Sequence, residues 1–463
     1  MRSTTWPLFA VGVFAPLAAA SVEIEWTSDD SIKQGASTIA YGMLQWYSGN
    51  NTGDVPGNLP DPYYWWEAGA MFGTLIDYWA YTGDDSYVDE TYQAMQHQMG
   101  DDGDFMPENQ TLTEGNDDQG FWAMAAMTAA ETNFKNPNST EDGGIAWLAA
   151  AQAVFNEYVW RWEASDNMCG GGLRWQIFTF NTGYTYKNTI SNGCFFNIAA
   201  RLALYTGNES YADWANTVYD WMDDVGFIDG DFNVYDGADS QDGKCANPDK
   251  AQWTYNAGIF MYGAAAMYNH TGGSDIWANR VNGLIKRTSQ YFFKNDIIEE
   301  PPCEPQDSCK TDNYSFKGYA LKWMAKTIQL MPSTYDTLKP LILASGKAAA
   351  SSCTGTAQGS AGGVLNGIAC GFKWTGSTND GTSGVGQQMS ALQAVLFTLD
   401  GPAPLSATTG GTSSGDSSGG SQKTDKSIDP TKPITIGDRA GAGILTAMAL
   451  AGLFGGCGWM MVD

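Results

Sequence analysis

The chain has 463 residues with 24 basic against 51 acidic side chains, and its formal charge of −27 excludes nucleic acid and anionic polymers as natural ligands. Its 18 Trp, 22 Tyr and 20 Phe suit a neutral ligand with apolar faces, such as a sugar, although most of these rings are expected to pack helices. Two histidines, and eight cysteines without zinc-type spacing, argue against a transition-metal centre, a histidine base or any cofactor.

Residues 1–20 hold one early Arg2, an apolar body and Ala18-Ala19-Ala20, the form of a secretory signal peptide cut after Ala20. A catalytic domain is expected over 21–405; between Asp29 and Asp400 the helical period dominates, and twelve helices of two alternating kinds are expected. One kind is amphipathic: Val88, Tyr92, Met95 and Met99, and again Tyr211, Trp214, Val218, Trp221, Met222 and Val225, recur at spacings of three and four. The other kind is apolar nearly all round, as in 68–79, 121–130, 198–205, 259–268 and 389–399, and should be buried on every side. The turn Tyr81-Thr82-Gly83 is echoed by Tyr205-Thr206-Gly207, which points to a repeated helical hairpin.

The apolar helices also begin alike, with a polar residue next to glycine: Glu67-Ala68-Gly69, Gln119-Gly120, Asn192-Gly193, Asn256-Ala257-Gly258, Lys317-Gly318 and, more weakly, Gly386-Gln387. Six such inner helices inside six outer ones make an all-α fold, an (α/α)6 barrel, with the six polar starts gathered at one end. The glycines there either admit a ligand or relieve crowding between helices.

One of these starts carries two adjacent acids, Asn116-Asp117-Asp118-Gln119. The expectation is that the backbone is not yet helical at the pair, so both carboxylates face one cavity. Two like charges that close cannot both ionise freely; one becomes a proton donor and the other, held by N–H groups at the helix start, a nucleophile. The plainer alternative is an N-cap at Asn116 or Asp117, with Gln119 completing a capping box.

An acidic cluster, Asp229, Asp231, Asn233, Asp236 and Asp239, resembles a calcium loop only loosely. Val234 stands where its glycine belongs and Ser240 where its glutamate belongs, so a solvated loop, or sugar binding by Asp236, is favoured and no metal is expected. After residue 405 come a Ser/Gly/Thr-rich stretch at 406–421, a polar spacer to 439 and an apolar tail at 440–463. Together they read as a linker and a GPI attachment signal, with a transmembrane helix as the alternative and the attachment residue open between 415–421 and Gly437.

Secretion agrees with six glycosylation sequons, at Asn50, Asn109, Asn138, Asn208, Asn269 and Asn313. It agrees also with disulfide-forming cysteines, for which Cys303 with Cys309 and Cys353 with Cys370 are natural local pairs. Cys169, Cys194 and Cys245 are left open, and Cys457 lies in the tail.

Asn116-Asp117-Asp118-Gln119, Gly171-Gly172-Leu173-Arg174-Trp175, Tyr186-Lys187-Asn188-Thr189-Ile190-Ser191-Asn192, Ala199-Ala200-Arg201-Leu202, Tyr255-Asn256-Ala257-Gly258 and Phe316-Lys317-Gly318 together resemble glycoside hydrolase family 76, colinearly from about 31 to 400. With the GPI signal and Trp65-Trp66-Glu67-Ala68-Gly69, the chain is similar to the fungal cell-wall subgroup, the mannan endo-1,6-α-mannosidase-like proteins. The resemblance implies an (α/α)6 barrel that acts on α-1,6-linked mannose with retention, Asp117 as nucleophile and Asp118 as acid/base. It also implies transfer of GPI-anchored mannoproteins, taken at their mannose-containing core glycan, to wall glucan. Retaining chemistry wants carboxyl groups about 5 to 5.5 Å apart, which neighbouring residues can reach.

Expected mannose contacts are Trp66, Arg174, Asn192, Asp236, Tyr255, Asn256 and Lys317, with Trp66 and Lys317 also readable as a core ring and as the partner of a helix-end carboxylate. The protein is expected to be a monomer on the outer leaflet of the plasma membrane and in the wall, with a mannan or GPI-glycan donor and a β-glucan acceptor. A non-catalytic mannan-binding lectin or scaffold, and a β-glucan hydrolase on the same barrel, are the rival readings.

Overall fold

In a computed structural model, residues 22–137, 144–164, 168–420 and the single Thr446 are described. The expected signal peptide, the sequon at Asn138 and almost all of the spacer and tail beyond 420 lie outside them. Twelve α-helices are found among the described residues: α1 (Asp29–Leu44), α2 (Trp65–Thr82), α3 (Val88–Gln98), α4 (Asn116–Thr132), α5 (Trp147–Glu163), α6 (Thr189–Thr206), α7 (Glu209–Asp224), α8 (Thr254–His270), α9 (Asp275–Tyr291), α10 (Asn313–Leu330), α11 (Tyr335–Ser351) and α12 (Val385–Leu396). None is long and apolar enough to cross a membrane.

The two kinds of helix sort as their apolar patterns require. Even-numbered helices pack side by side in the order α2, α4, α6, α8, α10, α12, and α12 closes back onto α2, while the odd-numbered ones cover the outside. This is the (α/α)6 barrel. The repeated Tyr-Thr-Gly turn is a helix stop: Gly83 and Gly207 end α2 and α6 at φ of 75° and 70°, a left-handed conformation that glycine adopts without strain.

Among the described residues, strand is confined to three antiparallel ribbons: β1 (Tyr186–Asn188) with β2 (Gly237–Asp239), β3 (Phe293–Lys294) with β4 (Ile297–Ile298), and β5 (Cys353–Gln358) with β6 (Val364–Cys370). The first lies at the end of the barrel where the inner helices begin, called the mouth below. Cys303–Cys309 and Cys353–Cys370 are bonded as expected, the third disulfide is Cys169–Cys245, and Cys194 is free and buried.

The glycines of the inner helices serve packing, not ligand approach. A Cβ on Gly69 would sit 2.8 Å from Trp122, on Gly120 2.6 Å from Cys194, on Gly193 2.7 Å from Ile259 and on Gly258 2.9 Å from Ala320. Six inner helices close a tight ring only if some backbones come this near. A second departure concerns residues 406–420, read as linker from their composition. They lie along the barrel wall: Leu405 N–H donates to Glu131 O, Ala407 N–H to Tyr205 O and Asp416 N–H to Gln152 Oε1, while Asn156 Nδ2 donates to Ser417 O and Gly419 O. Small residues dock here because their backbone groups supply the bonds and Gly411 and Gly415 fit flush against Tyr205 and Gln152.

Candidate active site

The acid pair lies inside the first turn of α4, one residue later than the non-helical entry the sequence suggests. Gly115, at φ −90° and ψ 162°, is the N-cap. The side chains converge nonetheless, because both fold back over the helix start: Asp118 Oδ2 accepts from Gly115 N–H at 2.6 Å, and Asp117 Oδ1 accepts from Asp118 N–H at 3.1 Å. A Cβ on Gly115 would stand 2.4 Å from Asp117 Oδ1 and 3.1 Å from Asp118 Oδ2, so the missing side chain is what lets the two carboxyls meet. Thus Asp118, not Gln119, makes the capping-box contact, and neither Asn116 nor Asp117 is the cap.

Asn116 clamps the pair from behind. Its N–H donates to Trp175 O, its Nδ2 to Arg174 O, its Oδ1 accepts from Arg161 at 2.8 Å and its carbonyl accepts from Tyr158 Oη. Asn188, the N-cap of α6, donates to Asp117 Oδ2 at 3.0 Å. Burial pushes the Asp117 carboxyl up to about 7, against the lowering effect of Asn188 and of nearby N–H groups. Asp118 goes well above the ordinary range, first through burial and then through the charge of Asp117, and has only the Gly115 N–H to lower it. Both carboxyls are thus raised, and Asp118 holds its proton the more firmly of the two.

Other acids gather round. Asp236 accepts from Tyr186 Oη at 2.9 Å and is raised by burial and by Asp249. Asp312, one residue ahead of α10, takes the Trp66 indole N–H and is also raised by burial. Glu67 and Glu114 are fully buried, and neither has a hydrogen-bond partner on its carboxyl among the described residues. Asn256 is fully buried too, with both ends of its amide unanswered. Such groups are what a hydroxyl-rich ligand would satisfy.

The description Glycosyl hydrolase family 76 matches residues 31–408. The chain belongs to that family. Among its relatives, mannan endo-1,6-alpha-mannosidase DCW1 of Saccharomyces cerevisiae is 47% identical over 440 residues, 94% of this chain and 94% of that protein. Mannan endo-1,6-alpha-mannosidase DFG5 of the same yeast is 42% identical over 96% of this chain and 95% of its own. The crystal structure of Dfg5 from Chaetomium thermophilum in complex with glucosamine superposes with a TM-score of 0.79 at 43% identity, covering 85% of this chain and 96% of that one. An inactive variant of the alpha-1,6-mannanase GH76A of Salegentibacter sp., in complex with alpha-1,6-mannotriose, shares the fold at a TM-score of 0.60 and 18% identity, covering 79% and 98%.

Of the expected sugar contacts in this family 76 barrel, Asp236 and Tyr255 stand by the pair. Burial and then the charges of Asp236, Asp117 and Asp312 drive the Tyr255 phenol well up, and its ring stacks on Phe316 at 3.8 Å. Asn256 begins the same helix but is fully buried, its amide unanswered among the described residues. Trp66 is only 9% exposed and packs on Phe121 at 4.7 Å, so it orients Asp312 instead of offering a stacking face.

Three expected contacts have structural work instead. Arg174 donates to Tyr184 O and Ser240 Oγ and lies over the Tyr184 ring; Asn192 staples Leu173 through both its amide atoms. Lys317 is fully buried, bonded to Glu304 and Phe372 O under the Trp374 ring, as the alternative reading had it. Asp229 is consumed by Asn233 and Tyr235, and Asp239 by Thr185 and Gln241. Of the sequons, Asn50, Asn109, Asn208 and Asn269 are exposed and Asn313 half-buried. Sequence reasoning missed Gly115, Asn188, Asp312 and Glu114, and took Glu67 only as a polar helix start. All four missed residues stand at or just before the start of an inner helix, which is the signal that would have found them.

Proposed function

We propose that this protein is a retaining α-1,6-mannosidase and transglycosidase that takes mannan, or the mannose core of a GPI glycan, as donor and joins GPI mannoproteins to cell-wall glucan. The observation that carries the reading is the Asp117–Asp118 pair folded over Gly115 with unequal hold on their protons. In the first step Asp117 attacks the anomeric carbon while Asp118 gives its proton to the leaving glycosidic oxygen, leaving a mannosyl ester on Asp117. In the second Asp118, now anionic, takes the proton of an incoming hydroxyl as its oxygen displaces Asp117. Water gives hydrolysis; a glucan hydroxyl gives transfer. Asn188 steadies the Asp117 oxygen on which charge returns.

Support comes from relatives named as mannan endo-1,6-alpha-mannosidases, one at 47% identity over nearly the full length. The leader at 1–20 and the terminal apolar tail support secretion and a GPI anchor at the plasma membrane and wall.

The test is to incubate the purified protein with α-1,6-mannotetraose and a β-1,3-glucan oligosaccharide in heavy-oxygen water, following anomers by NMR and products by mass spectrometry. Hybrid sugars and an α-anomer formed first are expected. Release of the β-anomer would end the retaining mechanism, and shorter mannosides alone would end the transfer. Cleavage of the glucan with mannosides untouched would replace the substrate.

A further inference from the structure

The loop between α5 and β1 runs along the mouth with its rings outward: Trp175 is 38% exposed and Phe180 59%, and Leu112 on the facing loop is 51% exposed. This is a braced surface. Trp175 N–H donates to Tyr186 O at 2.7 Å and its carbonyl accepts from Asn116 N–H at 2.8 Å, so it is paired to the residue just before Asp117. Ile177 N–H donates to Glu114 O, and the Asn181 amide bridges Leu112 O at 3.0 Å and Gln176 Oε1 at 3.2 Å. A Cβ on Gly183 would fall 2.4 Å from the Trp175 ring, so a glycine backbone at φ +94° lies flush against the indole. Phe180 stacks on Phe178 with centroids 5.4 Å apart and planes 9° from parallel.

An indole braced by glycine and open elsewhere loses little freedom when a flat ligand covers it. Polar side chains interleave with the rings along the chain, at Gln176, Asn181, Thr182 and Thr185. A lipid surface fits less well: the chain carries −27 charges, and the open rings are few and interrupted by polar groups.

We propose that Trp175, extended by Phe180, is a stacking subsite for a neutral pyranose chain that enters beside the acid pair as the acceptor. The proposal rests on the reading of the site given above. The shared chemistry is an uncharged sugar face; on that reading the chain is the β-1,3-glucan acceptor, and α-1,6-mannan held there as donor is the other outcome of the test.

The experiment uses the full protein silenced by Asp117→Asn and Asp118→Asn, titrated calorimetrically with α-1,6-mannohexaose and with laminarihexaose. Trp175→Ala should weaken binding of one of the two by about tenfold, the worth of a good ring contact, with Trp175→Tyr keeping most of it. Phe180→Ala, at an exposed position where folding is not at stake, should weaken the same probe less. Loss confined to laminarihexaose is the expected result; loss confined to mannohexaose makes the patch a donor subsite and overturns the acceptor assignment.

Unchanged affinity for both sugars in both variants overturns the subsite while leaving the site reading intact, provided the silenced parent still binds mannohexaose. A parent that binds no mannohexaose overturns the site reading itself. Sedimentation with neutral phosphatidylcholine vesicles, lost in Phe180→Ala with sugar affinities unmoved, overturns the subsite in favour of a membrane contact.

Discussion

Deep in the barrel, Asp77 lies 2.5 Å from Lys322 and 3.3 Å from Lys326, and Glu131 takes both arms of the Arg201 guanidinium at 2.9 and 2.7 Å. At the mouth, Asp117, Asp118 and Glu67 are buried by the same kind of wall, yet no ion pair reaches them among the described residues. Burial alone would raise Asp77, Glu67, Asp117 and Asp118. For Asp77 the two lysines overcome it and hold the carboxyl below its usual range; for Asp118 a second carboxyl adds to it. The barrel supplies cations where it needs a quiet core and withholds them where an acid must keep its proton.

The mouth breaks first under mutation. Asp117→Asn should lower mannoside turnover by about a thousandfold or more, read as product release from α-1,6-mannotetraose. It should not cost stability. Asp117 and Asp104 are both raised by burial to about 7, so each contributes stability while protonated. That contribution is complete below the ordinary carboxyl value of about 4 and is lost as pH rises through about 7. The native melting temperature should therefore fall between about pH 4 and 7 and level off above that, and the asparagine variant should fall less steeply in the same window.

Deeper down the expected effect is on the fold. Arg201→Met leaves Glu131 buried without its partner and should cost about 3 to 5 kcal/mol in chemical denaturation, most of it recovered in Arg201→Met/Glu131→Leu. Turnover per folded molecule should hold in both. If the single variant were as stable as the native chain, the contrast between deep and shallow acids would lose its energetic basis.

What the sequence made legible follows the same division. Helix number, the alternation of wet and dry helices and the acid pair were all readable, because apolar periodicity and adjacent like charges are local signals. The contacts that hold the mouth together are not local. Asn192 looks like a ligand residue from its place at a helix start, yet the loop bearing Leu173 has folded over it. Lys317 is consumed by Glu304 and Phe372, and Trp66 by Phe121, partners that only the closed ring brings near. Residues 406–420 defeated composition for the converse reason, since small polar residues dock through backbone groups that carry no sequence signature. Gly115 is the instructive miss: nothing in its residue type marks it, and its lack of a side chain is what shapes the site.

Two smaller changes would sharpen the account of the pair. Gly115→Ala puts a Cβ 2.4 Å from Asp117 Oδ1, while a φ of −90° suits alanine well. The melting temperature should stay put and kcat should fall about a hundredfold, the usual penalty for moving a reacting group by about 1 Å. Equal losses in stability and rate would mean that the glycine serves the fold and not the acids.

Asn188→Ser is the gentlest. Serine still caps α6, so the helix start survives, but it is too short to reach Asp117 Oδ2. Losing a donor to the anion raises the Asp117 carboxyl further, so the acid limb of kcat/KM should move to higher pH while the alkaline limb, set by the proton on Asp118, stays. On the acid side the rate should drop about tenfold, the worth of one hydrogen bond to a charged oxygen. A shift of the alkaline limb instead would place the working proton on Asp117 and exchange the two roles.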